Sequence, residues 1–577
     1  MRHGIGYGLI ALATAFAGLA PATAGEPKAG GVLKIYHRET PGGISIHEEA
    51  TFSTNVPMMG VFNNLVLYDQ HKEQNSTATI VPELATSWTW NGDKTQLTFK
   101  LREGVKWHDG KPFTAKDVKC TWDMLRGVSE QKFRKNPRKD WYANVTEISV
   151  NGDYEATFHL KRPQTSLLDM LASGYSPVYP CHVPPAQMRT HPIGTGPFKF
   201  VEMKQNETIK VTKNPDYWKK GLPYLDGIEY PIIPNRSTAV LAFVTGRVDM
   251  TFPTQLTVAL EKDVKAQDPK AICELKPTNV STNLIINRDK PPFDNADLRK
   301  AMALALDRTA FVKILFEGQA DIGGSLLPPP AGVWGLPPDI LKTLPGYGAD
   351  VKKSRDEARA IMQKLGYGPD KKLQIKVSTR NLGEYRDPAV ILIDQLKDIY
   401  IDGELDVVET GVWFAKIARG EYSVGLNLTG NGIDDPDQGF YENYACGSER
   451  NYTHYCNKDL EKLFDKQSVE TDASKRKQLV YDIDKKIQED VARPILYHSR
   501  MATCWKPYVK NMTIMVNSSY NGFRYEDVWL DKRRKGAFGA CASLRGAKRR
   551  SYPLARERAV EIASAATQVE LARLGHI

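Results

Sequence analysis

"LATSWTWNGDKTQLTFKLREGVKWHDGKPFTAKDV", residues 84–118, carries a strand, a hairpin and a helix start in succession. Within it "QLTFKLR" alternates apolar and polar side chains, the pattern of a half-buried strand. Gly104 and Gly110 permit tight turns, while Trp107 and Phe113 anchor the hairpin between them in a core. Thr114 then stands as the N-cap of "TAKDVKCTWDML", with Asp117 at the third helical position, close to a capping box. His108 and Asp109 are adjacent on a strand and point to opposite faces, so they do not make a chelating pair.

The same grammar extends along the chain. "VLKIYHR" (32–38), "EATFHLK" (155–161) and "TIKVTKN" (208–214) alternate and are bounded by Gly, Asn, Asp or Pro. The second half favours longer helices. "NADLRKAMALALDRTAFVKILF" (295–316) sets Leu298, Met302, Ala305 and Leu306 at helical spacing, and "DPAVILIDQLKDIY" (387–400) and "ASKRKQLVYDIDKKIQED" (473–490) follow the same rule. "LLPPPAGVWGLPP" (326–338) is dense in Pro and Gly and reads as irregular chain that Trp334 and Leu336 pin to a lobe. At 577 residues the chain exceeds one ordinary core. The expectation is a mixed α/β protein of two or three domains, with its sheets in separate lobes.

The N-terminus reads as an export signal, with Arg2 and His3 before an apolar run (7–20) that ends in Ala22-Thr23-Ala24. Cleavage is expected after Ala24. No later stretch reaches membrane-spanning length, so the mature chain is expected to be soluble. An oxidising compartment makes the 7 cysteines candidates for disulfides. Cys446 and Cys456 enclose a short Gly/Ser/Asn loop that a bridge closes easily. Cys120, Cys181, Cys273 and Cys504 can supply two more, and Cys541 is the odd one. Spacing alone leaves the pairing open.

Charge excludes one class of partner. The stretch 532–577 carries 11 Lys and Arg against 3 Glu, and the rest of the chain is nearly neutral. Nucleic-acid binding would rest on that tail alone, which reads as a disordered basic extension, or as one that touches anionic lipid. Metal and catalytic readings fare no better. "HEEAT" (47–51) lacks the second His of a zinc-protease helix, and "GTGP" (194–197) lacks the Lys-Ser/Thr of a phosphate loop. No cofactor and no catalytic set is expected, and "GTGP" reads as a crossing point between lobes.

The stretch 84–118 resembles the signature of the dipeptide/oligopeptide-binding family, the extracytoplasmic solute-binding proteins of ABC importers. "PIGTGPFKF" (192–200), "NPDYW" (214–218) and "PPFDNADLRKAMALALDR" (291–308) are similar to three further blocks of that family, in order. The resemblance implies an α/β bilobal periplasmic-binding-protein clamp of three domains with a hinge between lobes. Domain I would comprise 25–69, 191–282 and 493–532, domain II 70–190, and domain III 283–492. That partition gives each domain one cysteine pair: Cys120 with Cys181, Cys273 with Cys504, Cys446 with Cys456.

The resemblance also implies a binding site. An arginine on a strand end in domain III would hold a ligand carboxylate, and Arg380 in "KVSTRNLGEYRDPA" (376–389) matches it. The family's ammonium-binding aspartate falls on Asn431 within "TGNGIDDPD" (429–437), and the loop is longer by one residue. Asp434 is therefore expected to take that role, with Thr429 and Asp435 nearby, or else the ligand has no free amine there. Asp435, Pro436 and Asp437 alternatively form a turn capping the next helix. Trp413, Tyr385 and Tyr441 flank these segments, and the resemblance places Phe52 and Glu48 where the family's N-terminal segment enters the site, so all five are candidate cleft residues.

The implied function is that of a periplasmic, monomeric, non-enzymatic binding protein. It would capture a small solute, a short peptide before any other, and deliver it to an inner-membrane ABC permease. An opine, a sugar or another small polar solute is the alternative ligand, and an exported hydrolase is a more distant rival.

Overall fold

The computed structural model describes residues 26–532. The expected signal segment 1–24, the tail 533–577 and Cys541 lie outside the described residues. No helix among those described is long and apolar enough to cross a membrane.

The opening stretch folds as its pattern predicts. Ala85–Trp90 and Gln96–Leu101 pair antiparallel in a four-stranded sheet completed by Glu155–Leu160 and Val145–Val150. Gly104 and Gly110 take φ of 75° and 88°, and Trp107 and Phe113 are buried. The helix Ala115–Arg126 has the Thr114/Asp117 capping box and ends where Gly127 turns left-handed. It packs across Val145–Val150.

A second four-stranded sheet runs Val32–Lys34, Gly227–Pro231, Thr208–Lys213, Phe198–Lys204. The third has five strands in the order Ile401–Val408, Leu373–Arg380, Val424–Gly430, Ile272–Ile286, Ile495–Trp505. Its first three members are parallel and its last two antiparallel. Ile272–Ile286 and Ile495–Trp505 are long and share one ladder, which breaks between Pro277 and Ser281. Asn279 lies in that break with φ 50°, a left-handed conformation that Asn tolerates. The five-stranded sheet thus joins Ile495–Trp505, assigned to domain I from the resemblance, to strands assigned to domain III.

Two expectations are modified. The stretch 295–316 is two helices, Ala296–Leu304 and Arg308–Phe316. Asp307 breaks it, because its carboxylate accepts the N–H of Ala310 at 2.9 Å and caps the second helix. The helix containing 387–397 begins earlier, at Gly383. Residues 326–337 are irregular, with Leu336 buried and the Trp334 indole donating to the Asp434 carbonyl at 3.0 Å.

"GTGP" is a place of close backbone approach. A side chain at Gly194 would sit 1.9 Å from the Val61 carbonyl oxygen, so the chain at this point has room only for hydrogen. His108 clamps the same segment. Its N–H donates to the Gly194 carbonyl at 2.9 Å, and its ring lies 3.1 Å from the Gly196 carbonyl oxygen. Burial holds that imidazole down at about 4, so it is neutral and structural.

Three disulfides join Cys120 to Cys181, Cys273 to Cys504 and Cys446 to Cys456. The last closes the loop that carries Arg450. Replacing Cys446 and Cys456 together by serine should cost about 2–3 kcal/mol in the chain-entropy account. Urea denaturation of oxidised parent and variant measures the difference, and equal midpoints would contradict it.

Candidate functional site

The third sheet places a cavity at the carboxyl ends of its parallel strands, where open α/β sheets bind ligands. Leu373–Arg380 and Ile401–Val408 end side by side, with Arg380 opposite Val408. The helices Gly383–Lys397 and Thr410–Ala418 start just beyond them. The cavity encloses about 940 Å³, its mouth included. One wall comes from Arg38 and from Ala50–Phe52 at the start of the chain. Its floor comes from Thr278, Val280 and Thr282 on one long strand and Tyr497, Ser499 and Met501 on the other.

A feature of the ladder opens this cavity. Leu373–Arg380 and Val424–Gly430 pair in parallel only at Val377↔Val424 and Ser378↔Gly425. Beyond Gly425 the second strand continues to Gly430, held on its far side by Ile272–Ile286. On the near side it has no strand partner among the described residues, and Asn427 and Leu428 face the cavity. The Leu426 carbonyl on this side accepts the Thr379 hydroxyl at 2.9 Å, and the strand edge beyond it offers backbone N–H and C=O groups to whatever enters. Aromatic rings flank it, with Phe52 stacked on Tyr520 at 4.0 Å. Gly430 allows this approach, since a side chain there would strike the Tyr520 hydroxyl.

Arginines on the wall are matched by carboxylates of the chain itself. Arg380 donates to Glu39 at 2.7 Å through Nη2, to Tyr385 at 2.7 Å through Nη1, and to Thr410 at 3.1 Å through Nε. Arg38 donates to Glu384 at 2.6 Å, and Arg236 lies 3.6 Å from Glu384 and 3.4 Å from Asp387. Arg450 pairs with the buried Glu442, which also accepts the Trp141 indole N–H at 2.8 Å. Burial pushes the Glu39 carboxyl up, but Arg380 and Arg38, with hydrogen bonds from Ser53 and Thr410, outweigh it and hold it at about 2. Burial acts against the Arg380 charge, and Glu39, Tyr385 and Glu384 together more than offset it.

A second, open compartment adjoins the first, sharing Ala50, Phe414 and Arg450. It is lined by charged side chains, among them Glu48, Glu49, Arg134 and Lys135.

Of the residues singled out from sequence, Arg380, Tyr385 and Phe52 line the main cavity. The others do not. Glu48 lies in the second compartment, paired with Arg189 at 3.0 Å. Trp413 is fully buried in a small core with Ile285, Ile417 and Tyr422. The Tyr441 hydroxyl sits between Arg162 and Asp465. Thr429 accepts hydrogen bonds from Asn283 at 3.0 Å and Arg493 at 3.3 Å. Asn431 donates its N–H to the Asn279 carbonyl at 3.0 Å.

The aspartates of 434–437 turn away from the cavity because the loop closes on itself. Gln438 accepts the N–H groups of Gly432 and Ile433 at 2.7 and 3.0 Å. Asp435 caps the helix Pro436–Tyr444 and takes a two-pronged bond from Arg476, both contacts 2.8 Å. The helix-capping alternative therefore describes Asp435, which accepts the Asp437 N–H at 3.0 Å. The Asp437 carboxylate instead accepts the hydroxyls of Ser166 and Ser468, each at 2.6 Å, and the Gln467 amide. Asp434 accepts from Asn517 at 3.3 Å. No group of three or more metal-ligating side chains exists among the described residues.

Burial, with Asp435 and Asp169 nearby, raises the Asp434 carboxyl from 3.8 to about 7. Its folded pKa exceeds its unfolded one, so the unfolded chain binds fewer protons between these values. The stability it permits at low pH is lost as pH rises toward 7. Asp434→Asn should therefore be more stable than the parent at pH 8 by about 1–2 kcal/mol, and no different near pH 4. Urea midpoints at the two pH values measure this. A variant less stable than the parent at pH 8 would contradict it.

With the cavity described, comparison with known proteins gives its context. The family model "Bacterial extracellular solute-binding proteins, family 5 Middle" matches residues 79–451. The chain belongs to that family. It is similar to a probable di/tripeptide-binding protein of Pseudomonas aeruginosa, 24% identical over 502 residues, 82% of this chain and 91% of that one. It is 26% identical to the oligopeptide-binding protein AppA of Bacillus subtilis, over 82% of this chain and 88% of the relative. Among solved structures, the periplasmic binding protein DppA of Helicobacter pylori in complex with the peptide STSA superposes with a TM-score of 0.76. That match is 24% identical and covers 88% of this chain and 99% of the other. The α/β binding-protein fold is common to them.

Glu39, Glu384, Arg450 and Tyr520 belong to the site and escape sequence reading. Glu384 precedes Tyr385 within the quoted segment, and Arg450 stands inside the Cys446–Cys456 loop, so both carry a local signal. Glu39 and Tyr520 carry none.

Proposed function

We propose that this chain is the periplasmic substrate-binding component of an ABC importer, and that its cavity takes a short peptide. The observation that carries the peptide reading is the strand edge left open beyond Gly425, which matches an extended main chain by hydrogen bonding and leaves side-chain identity free. The aromatic and hydroxyl walls suit varied side chains. Membership of an extracellular solute-binding family and the names of the relatives point the same way.

In this reading the chain is exported by its N-terminal signal, cut after Ala24, and hands its ligand to an inner-membrane permease without chemistry. Domains I (25–69, 191–282, 493–532), II (70–190) and III (283–492) close around the peptide. The bulge at Asn279 in the long strands supplies the hinge, because a broken ladder bends more readily than a continuous one. Contacts from both lobes favour the closed state.

A thermal-shift panel tests the ligand class. A pool of tri- and tetrapeptides should raise the melting temperature, and free amino acids, opines and sugars should not. Stabilisation by a sugar or opine with none by peptides would overturn the peptide reading.

A further inference from the structure

Arg380 is the most deeply buried arginine of the cavity wall, 2% exposed, and its charge is already taken. Glu39 arrives from the segment after Val32–Lys34, 341 positions away in sequence. Its first oxygen accepts Arg380 Nη2 and the Ser53 hydroxyl, and its second accepts the Thr410 hydroxyl. Thr410 in turn accepts from Arg380 through Nη2 at 2.9 Å, so the three side chains form a closed ring. His37 fixes the approach, its two ring nitrogens lying against the carbonyls of Glu39 and Ser53.

We infer that Glu39 fills the carboxylate position on Arg380 from within the chain, so that the site selects its ligands without reading a free carboxylate there. The matching ligand class is a peptide whose carboxyl end is blocked or lies elsewhere, with main chain and side chains supplying recognition. Two facts beyond the pair support this. The other arginines on the wall are also matched by chain carboxylates, so an incoming anion meets no uncompensated cation. A ligand carboxylate that displaced Glu39 would leave a buried, ionised side chain with only Arg38, 3.8 Å away and already paired with Glu384, as its cation.

The inference rests on the peptide reading for the identity of the ligand, and not for the role of Glu39. One arm of the test uses matched tripeptide pools, as free acids and as C-terminal amides, titrated into the parent chain. The two pools should bind within about threefold of each other. Preference for the acids by about tenfold or more would overturn the inference. The other arm needs no peptide. In Glu39→Ala the position opens, and propionate should raise the melting temperature of this variant while leaving the parent unchanged. If the variant folds only in propionate, that rescue is the same result. Equal responses of parent and variant to propionate would overturn the assignment. Should neither peptide pool bind the parent, the peptide reading fails and the propionate arm still decides the role of Glu39.

Discussion

Replacing Arg380 by alanine should cost the fold about 3–5 kcal/mol, because it removes the nearer cation of the buried Glu39 carboxylate and leaves only Arg38, 3.8 Å away. At any pH above about 2 that carboxylate is ionised, and it is only 8% exposed. The effect is one of stability before it is one of affinity. Adding Glu39→Gln to Arg380→Ala should recover much of the loss, since the stranded charge is then gone. Arg380→Lys should fall between, as an ammonium on a flexible stem does not reproduce the fork that meets Tyr385, Thr410 and Glu39 together. Acid dependence gives an independent reading. The Glu39 pKa is held below its unfolded value, so the stability it contributes is present above about 4.5 and is lost as pH falls toward 2. Arg380→Ala should shrink that acid-side loss, since Arg38, Ser53 and Thr410 remain. Urea denaturation across pH measures both effects, and an Arg380→Ala chain as stable as the parent would contradict the pairing.

The second large effect is expected at Gly194. Alanine there would place its Cβ 1.9 Å from the Val61 carbonyl oxygen and 2.9 Å from the Phe62 ring. The first obstacle is backbone, so no rotamer change relieves it. At Gly196 the added carbon would lie 2.5 Å from the Val61 carbonyl carbon and 2.6 Å from the Phe62 nitrogen. Gly194→Ala should therefore lose about 3 kcal/mol or more, and the double alanine variant should fail to accumulate as folded protein. Gly92→Ala is the control, because nothing lies within 4 Å of its added carbon. It should change stability by about 0.5 kcal/mol or less. Melting curves that do not separate Gly194→Ala from Gly92→Ala would rule out backbone crowding as the reason for glycine in "GTGP".

These two sites mark how far local sequence rules reach. The strand, hairpin and capped helix of 84–118 follow from such rules: alternation, a permissive glycine, a hydroxyl facing an aspartate three residues on. The glycines of 194–197 are legible as a special backbone, but the reason for them is a contact with Val61 that has no local trace. The stretch 295–316 reads as one helix because the apolar spacing runs through Ala305 and Leu306, whereas the Asp307 cap interrupts it.

In the site, Arg380 and Tyr385 lie within one short motif and are legible together. Glu39 sits far away in sequence and only the folded chain brings it to Arg380. The aspartates of 434–437 are the reverse case. Their charge suggests a ligand, and their actual partners, Arg476, Asn517 and the helix N–H groups, arrive from elsewhere in the fold.

The central claim is that a short peptide occupies the cavity beside the open edge at Asn427 and Leu428. Native mass spectrometry of the chain, purified from its source without denaturation, tests it most directly. The expected spectrum contains a bound species whose released mass fragments as a series of amino-acid residues, lost when Asn427 and Leu428 are replaced by bulky tryptophans that fill the edge. A released molecule that yields no amino-acid residues, or a peptide retained undiminished by the filled-edge variant, would contradict the account.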